Sequence, residues 1–253
     1  MKLFILKKKT VAVISVLAVV LIIALVFFGF TATTASAKQR RTPIYCVKTE
    51  EKKVSISFDA CWGADKTLEI LSMLEQYDVV ANYFCVSSWA EKYSDKLKTL
   101  SDSGRVEVGT HSKTHSHMSK LSKAQIEEEL VTSSNIIKNI TGKQVTLFRP
   151  PYGEYNNLLI DTSFGLGLFP IQWDVDSLDW KDLSANAMAT RILTKTKNGS
   201  IILMHNDGKH TVEALPLIIT GLKNKGYSFV FISDLIYKDN YTIDNTGRQI
   251  PTE

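Results

Sequence analysis

Val145-Thr146-Leu147-Phe148-Arg149-Pro150-Pro151-Tyr152-Gly153 is a hydrophobic run that ends in an arginine and two prolines. Proline lacks the N–H that a sheet needs, and the residue before a proline is driven to extended geometry. The run therefore reads as a strand that stops at Arg149, with Tyr152 and Gly153 turning the chain away. Proline and glycine also punctuate ordinary loops, so the other strand ends decide whether this one displays chemistry.

Outward from this stretch, short apolar runs alternate with longer amphipathic ones. Strands are expected at Val54–Asp59, Ala81–Val86, Val106–Gly109, Val145–Arg149, Leu168–Trp173, Ser200–His205 and Tyr227–Ile232. Helices are expected at Asp65–Tyr77, Trp89–Ser101, Ser184–Lys197 and Val212–Asn224. The clearest helix opens at Ser122, which forms a capping box with Gln125, and closes before Gly142. About seven β/α repeats in roughly 200 residues imply an α/β fold with a parallel sheet, either open and doubly wound or closed into a barrel. No G-x-G-x-x-G follows the first strand, which removes the usual dinucleotide-binding signature of the open form.

The chain has 253 residues, 44% hydrophobic and 22% charged, enough for a substantial core and unlike a disordered chain. Its amino end is different in kind. Lys2, Lys7, Lys8 and Lys9 precede an uncharged run from Val11 to Phe30, the length a helix needs to cross a bilayer. A signal-peptide core is shorter, so a retained single-pass anchor with the domain outside is expected, although Ala35-Ser36-Ala37 has the small-x-small pattern of a cleavage site. Cleavage there would give a secreted protein instead. Residues 1–37 read as this anchor or signal segment, 38–51 as a linker, 52–238 as the domain and 239–253 as a tail. The seven Lys and Arg up to Arg41 account for the net charge of +4; beyond them, 23 basic residues face 26 acidic ones, which excludes the basic stripe of a nucleic-acid binder. Cys46, Cys61 and Cys85 are too few and too irregular for a disulfide framework or a zinc ribbon, and Cys85 reads as a buried small residue.

Parallel α/β folds place their sites at the carboxyl ends of strands. Asp59 ends the first expected strand, and the third runs into His111 and His115. Arg149 ends the fourth, Asp174, Asp176, Asp179 and Trp180 follow the fifth, and His205 and Asp207 close the sixth. These residues are expected on one rim. The H-x-x-x-H spacing lets both imidazoles reach one metal ion if the loop turns helically. Asp59 suits a general base, and His205, ionisable at the end of an apolar strand, suits proton transfer near neutral pH. Asp65 is placed to cap the helix it begins. His117 and His210 read as solvent-exposed.

Four motifs in this order, His111-Ser112-x-x-His115, Arg149-Pro150-Pro151-Tyr152-Gly153, Asp176-x-x-Asp179-Trp180 and Leu203-Met204-His205, resemble those of the polysaccharide deacetylase family, the NodB-homology enzymes of carbohydrate esterase family four. The resemblance covers about Lys52 to Tyr237 and implies a distorted (β/α)7 barrel. It further implies N-deacetylation of a polysaccharide with a divalent metal, often zinc, held by His111 and His115. Asp59 would be the base, held ionised by Arg149; His205 would be the acid, held charged by Asp179. The Tyr152 amide would meet the oxyanion, and Pro151 and Trp180 would line the sugar groove. The first motif departs from the pattern: Ala60 stands where most members carry a second aspartate, the third metal ligand. That implies a weaker metal site unless Asp65, Asp59 or water completes it. Phe58-Asp59-Ala60-Cys61-Trp62-Gly63 resembles a sporulation branch of the family, which implies peptidoglycan of the spore cortex or vegetative wall as substrate. Two alternatives stand beside this reading: a catalytically silent glycan-binding barrel, and a deacetylase of chitin or another exported polysaccharide.

Overall fold

The computed structural model describes residues 8–32 and 40–252. They fall into two units, one up to Gln39 and one from Arg40 onward. The first contains a single helix, α1 (Lys8–Ala32). Among the described residues no helix is long and apolar enough to cross a membrane; the expected span, Val11 to Phe30, runs beyond the described side chains of α1, which end at Ala24. Ala35-Ser36-Ala37 lies outside the described residues.

The second unit runs β1 (Cys46–Val47), β2 (Lys53–Ala60), α2 (Thr67–Gln76), β3 (Ala81–Cys85), α3 (Ser87–Lys92), α4 (Ser94–Asp102), β4 (Val106–Thr110), α5 (Lys123–Thr141), β5 (Leu147–Phe148), α6 (Asn157–Gly165), β6 (Phe169–Pro170) and β7 (Val175–Asp176). It continues with α7 (Ala185–Lys195), β8 (Ile201–His205), α8 (Thr211–Asn224), β9 (Ser228–Phe229), α9 (Ile232–Leu235), β10 (Tyr241–Ile243) and β11 (Arg248–Pro251). The main sheet is parallel, in the order β6-β5-β4-β3-β2-β8-β7, with β9 pairing β2. Its ladder stops at β6 on one side and β7 on the other. The fold is therefore an open half-barrel rather than a closed ring.

Alternation along the strands sorts the core into two layers. Val54, Ile56, Phe58 and Ala60 of β2, with Tyr83 and Cys85 of β3 and Ile202 and Met204 of β8, face the helices and pack on residues such as Ile70, Leu74, Ile218 and Leu222. Phe84, Leu147 and Ile201 belong to the other core layer, with Ile44 and Ile171. Gly109 pairs with Phe84, and a Cβ at Gly109 would lie 2.7 Å from the Phe84 ring, so only glycine leaves room for it.

The segments expected as linker and tail are built into this unit. The Ile44 amide donates to Pro170 O, the Gln172 amide to Ile44 O, and the Val47 amide to Gly199 O, at 2.9, 2.7 and 2.9 Å. The chain from Ile44 to Val47 thus bridges from the β6 edge to the start of β8. β1 then pairs with β11, and β11 with β10, in a small second sheet. Strands of two to four residues are too short to show a period, which is why these segments read as polar connectors. The expected helix over Trp89–Ser101 is broken at Tyr93, and α6, capped by the Asn156 side chain, was not anticipated. The capping box of Ser122 and Gln125 and the left-handed Gly142 at the other end of α5 match expectation.

Candidate active site

Asp59 and His205 are register partners at the carboxyl ends of β2 and β8, so the sheet itself sets them side by side. Around them lies a pocket of about 410 Å³, lined also by His111, His115, Tyr152 and Trp180. Behind Asp59, Arg149 is fully buried, and its Nη1 donates to Asp59 Oδ1 at 2.8 Å. The guanidinium is fixed by a second bond to Gln172 O, 3.2 Å, and lies 4.1 Å from the centre of the Phe84 ring. Burial alone would raise the Asp59 carboxyl, but Arg149, then His111 and His205, outweigh it and hold the group below its ordinary range.

The mirror arrangement holds His205. Asp179 is buried and accepts from His205 Nδ1 at 2.7 Å, from the His205 amide at 2.6 Å and from Thr211 Oγ1 at 3.0 Å. Burial would lower the His205 pKa, yet the bond and charge of Asp179 raise it above the ordinary imidazole value. Arg149 and Asp179 thus stand behind the groups that face the pocket and position them.

The two histidines meet through left-handed turns rather than the expected helical loop: Ser112 has φ 76° and His115 φ 57°. Each non-glycine residue there costs roughly 1–2 kcal/mol, and α5 supplies the compensation. Glu129 accepts from the Lys113 and Thr114 amides, both at 2.9 Å, and from Thr114 Oγ1 at 2.7 Å, while Ser133 Oγ donates to Ser112 O at 3.1 Å. These two residues were missed in the sequence. Their signal is a buried stripe of α5, running from Ile126 and Leu130 to Ile137, that is interrupted by polar side chains. His111 Nδ1 donates to Arg149 O at 2.7 Å, which leaves Nε2 with a free lone pair, 3.6 Å from Asp59 Oδ2. Burial drives the His111 pKa down to about 4, so the ring is neutral. Burial lowers that of His115 as well.

One ring nitrogen each of His111 and His115 and the Cys61 Sγ lie within 4.8 Å of one another. Neutral imidazoles and a sulfur converging at a pocket wall fit a divalent cation such as zinc. Asp65 is exposed and joins neither this cluster nor a cap: α2 starts two residues later, with Lys66 at its N-cap and no side-chain bond there.

The rim is aromatic. Trp62, Tyr152 and Trp180 are 69%, 56% and 58% exposed. Tyr152 sits at φ 59°, stacks on His117 at 4.3 Å and meets His115 edge-on at 4.6 Å. His117 is exposed as expected, and in addition supports Tyr152 and bonds Glu154 at 3.0 Å. Pro151 is buried, and Pro150 takes the lining position expected of it. Asp176 and Asp207 reach the pocket, but Asp174 does not join the rim. It binds Ser200 Oγ and the Ile201 amide at the start of β8, because Val175–Asp176 is a separate strand beside β8 and Asp174 precedes it.

A polysaccharide deacetylase family model matches residues 47–169. The chain is 30% identical to the uncharacterized protein YlxY of Bacillus subtilis over 77% of its own length, and spans 60% of that relative. It is 34% identical to a peptidoglycan-N-acetylglucosamine deacetylase of Bacillus cereus, covering 71% of this chain and 69% of that one. Among solved structures, a CE4 family pseudoenzyme from Bacillus anthracis matches with a TM-score of 0.74 and 32% identity, over 76% of this chain and 68% of that chain; a mutant of that protein has restored enzymatic activity. Together with the shared half-barrel and the motifs gathered at its rim, these likenesses establish that the chain belongs to the polysaccharide deacetylase family.

Proposed function

We propose that this protein is a membrane-anchored, extracytoplasmic N-deacetylase that removes acetyl groups from the amino sugars of peptidoglycan. The observation that carries the reading is the pairing of Asp59 with His205 across one pocket, the first held ionised by a buried cation and the second held charged by a buried carboxylate. That is the acid and base set that amide hydrolysis requires. A divalent cation, with zinc the best match to these donors, would be held by His111 and His115 and would supply Lewis-acid polarisation of the acetyl carbonyl and of water.

This chain's own residues do the rest. Asp59 takes the proton of the attacking water, and Arg149 keeps it ready by favouring the carboxylate. The Tyr152 amide, presented by the Arg-Pro-Pro turn, donates to the developing oxyanion. His205 gives its proton to the departing amine, and Asp179 fixes the ring so that Nε2 is the atom that does so. Trp180 and Tyr152 offer flat apolar faces to a sugar ring.

The amide substrate class is supported by the Bacillus cereus relative, which is named for N-acetylglucosamine in peptidoglycan. Delivery to the wall is supported by the order of lysines, apolar run and small residues at the amino end. The wall substrate is that of the spore cortex or of vegetative cells. A second reading, a silent glycan-binding barrel, is favoured by the likeness to a pseudoenzyme. Acetate release from peptidoglycan fragments and from acetylated chitin oligosaccharides separates these cases. Release from peptidoglycan supports the proposal, release only from chitin redirects it, and binding without release under zinc, cobalt or no added metal selects the silent barrel.

A further inference from the structure

We infer that Cys61 is the third protein ligand of the metal centre, so that this chain carries a cysteine–histidine–histidine set in place of one that includes a second aspartate. The inference rests on the metal-dependent reading of the same pocket and identifies the ligand that Ala60 was expected to leave missing.

Position 60 is not a gap in the site. Ala60 is fully buried among Phe58, Cys85 and the helix-facing core, on the opposite side of β2 from Asp59. The Ala60 methyl does not line the pocket, whereas Asp59 does. β2 ends at Ala60, and Cys61, in the bend that follows, lines the pocket.

The sulfur is held in place by its surroundings. Before it, the Ala60 carbonyl accepts from the Val86 amide at 3.1 Å. After it, the Gly63 carbonyl accepts from Trp89 Nε1 at 2.6 Å and from Asn206 Nδ2 at 3.0 Å, with Gly63 in a left-handed turn at φ 51°. A tetrahedral zinc with the usual Zn–S and Zn–N lengths separates such donors by about 3.3–3.6 Å. The upper limit of 4.8 Å among the three donors is thus closed by a side-chain adjustment of roughly 1 Å.

Asp59 borders this cluster, its Oδ1 bound by Arg149 and its Oδ2 3.6 Å from His111 Nε2, and keeps its role as base. All three cysteines are free, so no disulfide competes for Cys61. On binding, the Cys61 S–H bond breaks, its proton goes to solvent, and the sulfur electron pair forms the S–metal bond. A thiolate favours zinc and cobalt over magnesium or manganese, which makes metal preference a second consequence.

The test loads the full chain with cobalt(II) and reads its absorption spectrum, then measures zinc affinity by competition. A thiolate-to-cobalt charge-transfer band is expected in the near ultraviolet. It should disappear in Cys61→Ser and Cys61→Ala while weaker ligand-field bands remain, and zinc affinity should fall on the order of 100-fold. Zinc should also shield Cys61 from alkylation in the parent chain, and not in His111→Ala. A cobalt protein without the band, no cobalt or zinc binding at all, or a folded Cys61→Ala with unchanged zinc affinity would each overturn the inference. The outcome is separable from that of the deacetylase reading. A Cys61-dependent band without acetate release leaves the ligand and removes the activity, whereas acetate release with unchanged zinc affinity in Cys61→Ala does the reverse.

Discussion

The two buried ion pairs of the site have the same components and opposite consequences. In Asp59–Arg149 the carboxylate faces the pocket and the cation is hidden; in His205–Asp179 the imidazole faces the pocket and the carboxylate is hidden. Burial opposes the charged form of the pocket-facing group in both, and the hidden partner overrides it in both. Which member stands in front therefore decides which group is the base and which the acid. The assignment comes from topology: β2 and β8 are neighbours, whereas Arg149 and Asp179 come from the turn after β5 and the loop after β7.

The comparison breaks most completely at the front of the first pair. Asp59→Asn should lower acetate release by about 10²- to 10⁴-fold while leaving glycan binding nearly intact; turnover equal to the parent's would remove Asp59 as the base. Behind it, Arg149→Met should leave a buried carboxylate without its cation and lower unfolding free energy by about 3–5 kcal/mol. Urea denaturation checks this, and a loss below about 1 kcal/mol would mean that the pair is not what keeps Asp59 charged.

The histidine loop is expected to respond less. Glu129→Gln weakens the clamp on the Lys113 and Thr114 amides, and zinc affinity should fall roughly 10- to 100-fold, as read by competition titration. A pH profile sharpens the second pair. His205 works while protonated, so activity is kept below its raised pKa and lost as pH rises through it. Asp179→Asn removes the largest of the influences that raise that pKa, leaving burial, which lowers it, against the smaller pull of Asp59 and Asp207, so the alkaline limb of kcat/KM should move to lower pH. A limb that stays in place would show that His205 does not set it.

Much of this site was legible in the sequence because Asp59, Arg149 and His205 each close a strand-like run, and β2, β5 and β8 end within one residue of them. His111 and His115 were legible by spacing, though not the left-handed turns that join them. The remainder was hidden for physical reasons. Glu129 acts from the middle of α5, far along the chain, and Val175–Asp176 is too short to show alternation, so Asp174 was assigned to the wrong end of the sheet. That Ala60 packs with Phe58 in the helix-facing layer, while Cys61 lines the pocket from the bend after β2, was not legible from residue types alone. The closing sheet of β1, β10 and β11 was invisible for the same reason as β7.

The account stands on one joint measurement: metal content of the purified protein together with acetate released from peptidoglycan fragments, before and after chelation. The prediction is a protein that holds about one zinc per chain, releases acetate, stops when the metal is stripped and recovers when zinc is returned. A protein that binds glycan and releases no acetate with metal restored would contradict it, and would place this chain with the silent members of its family.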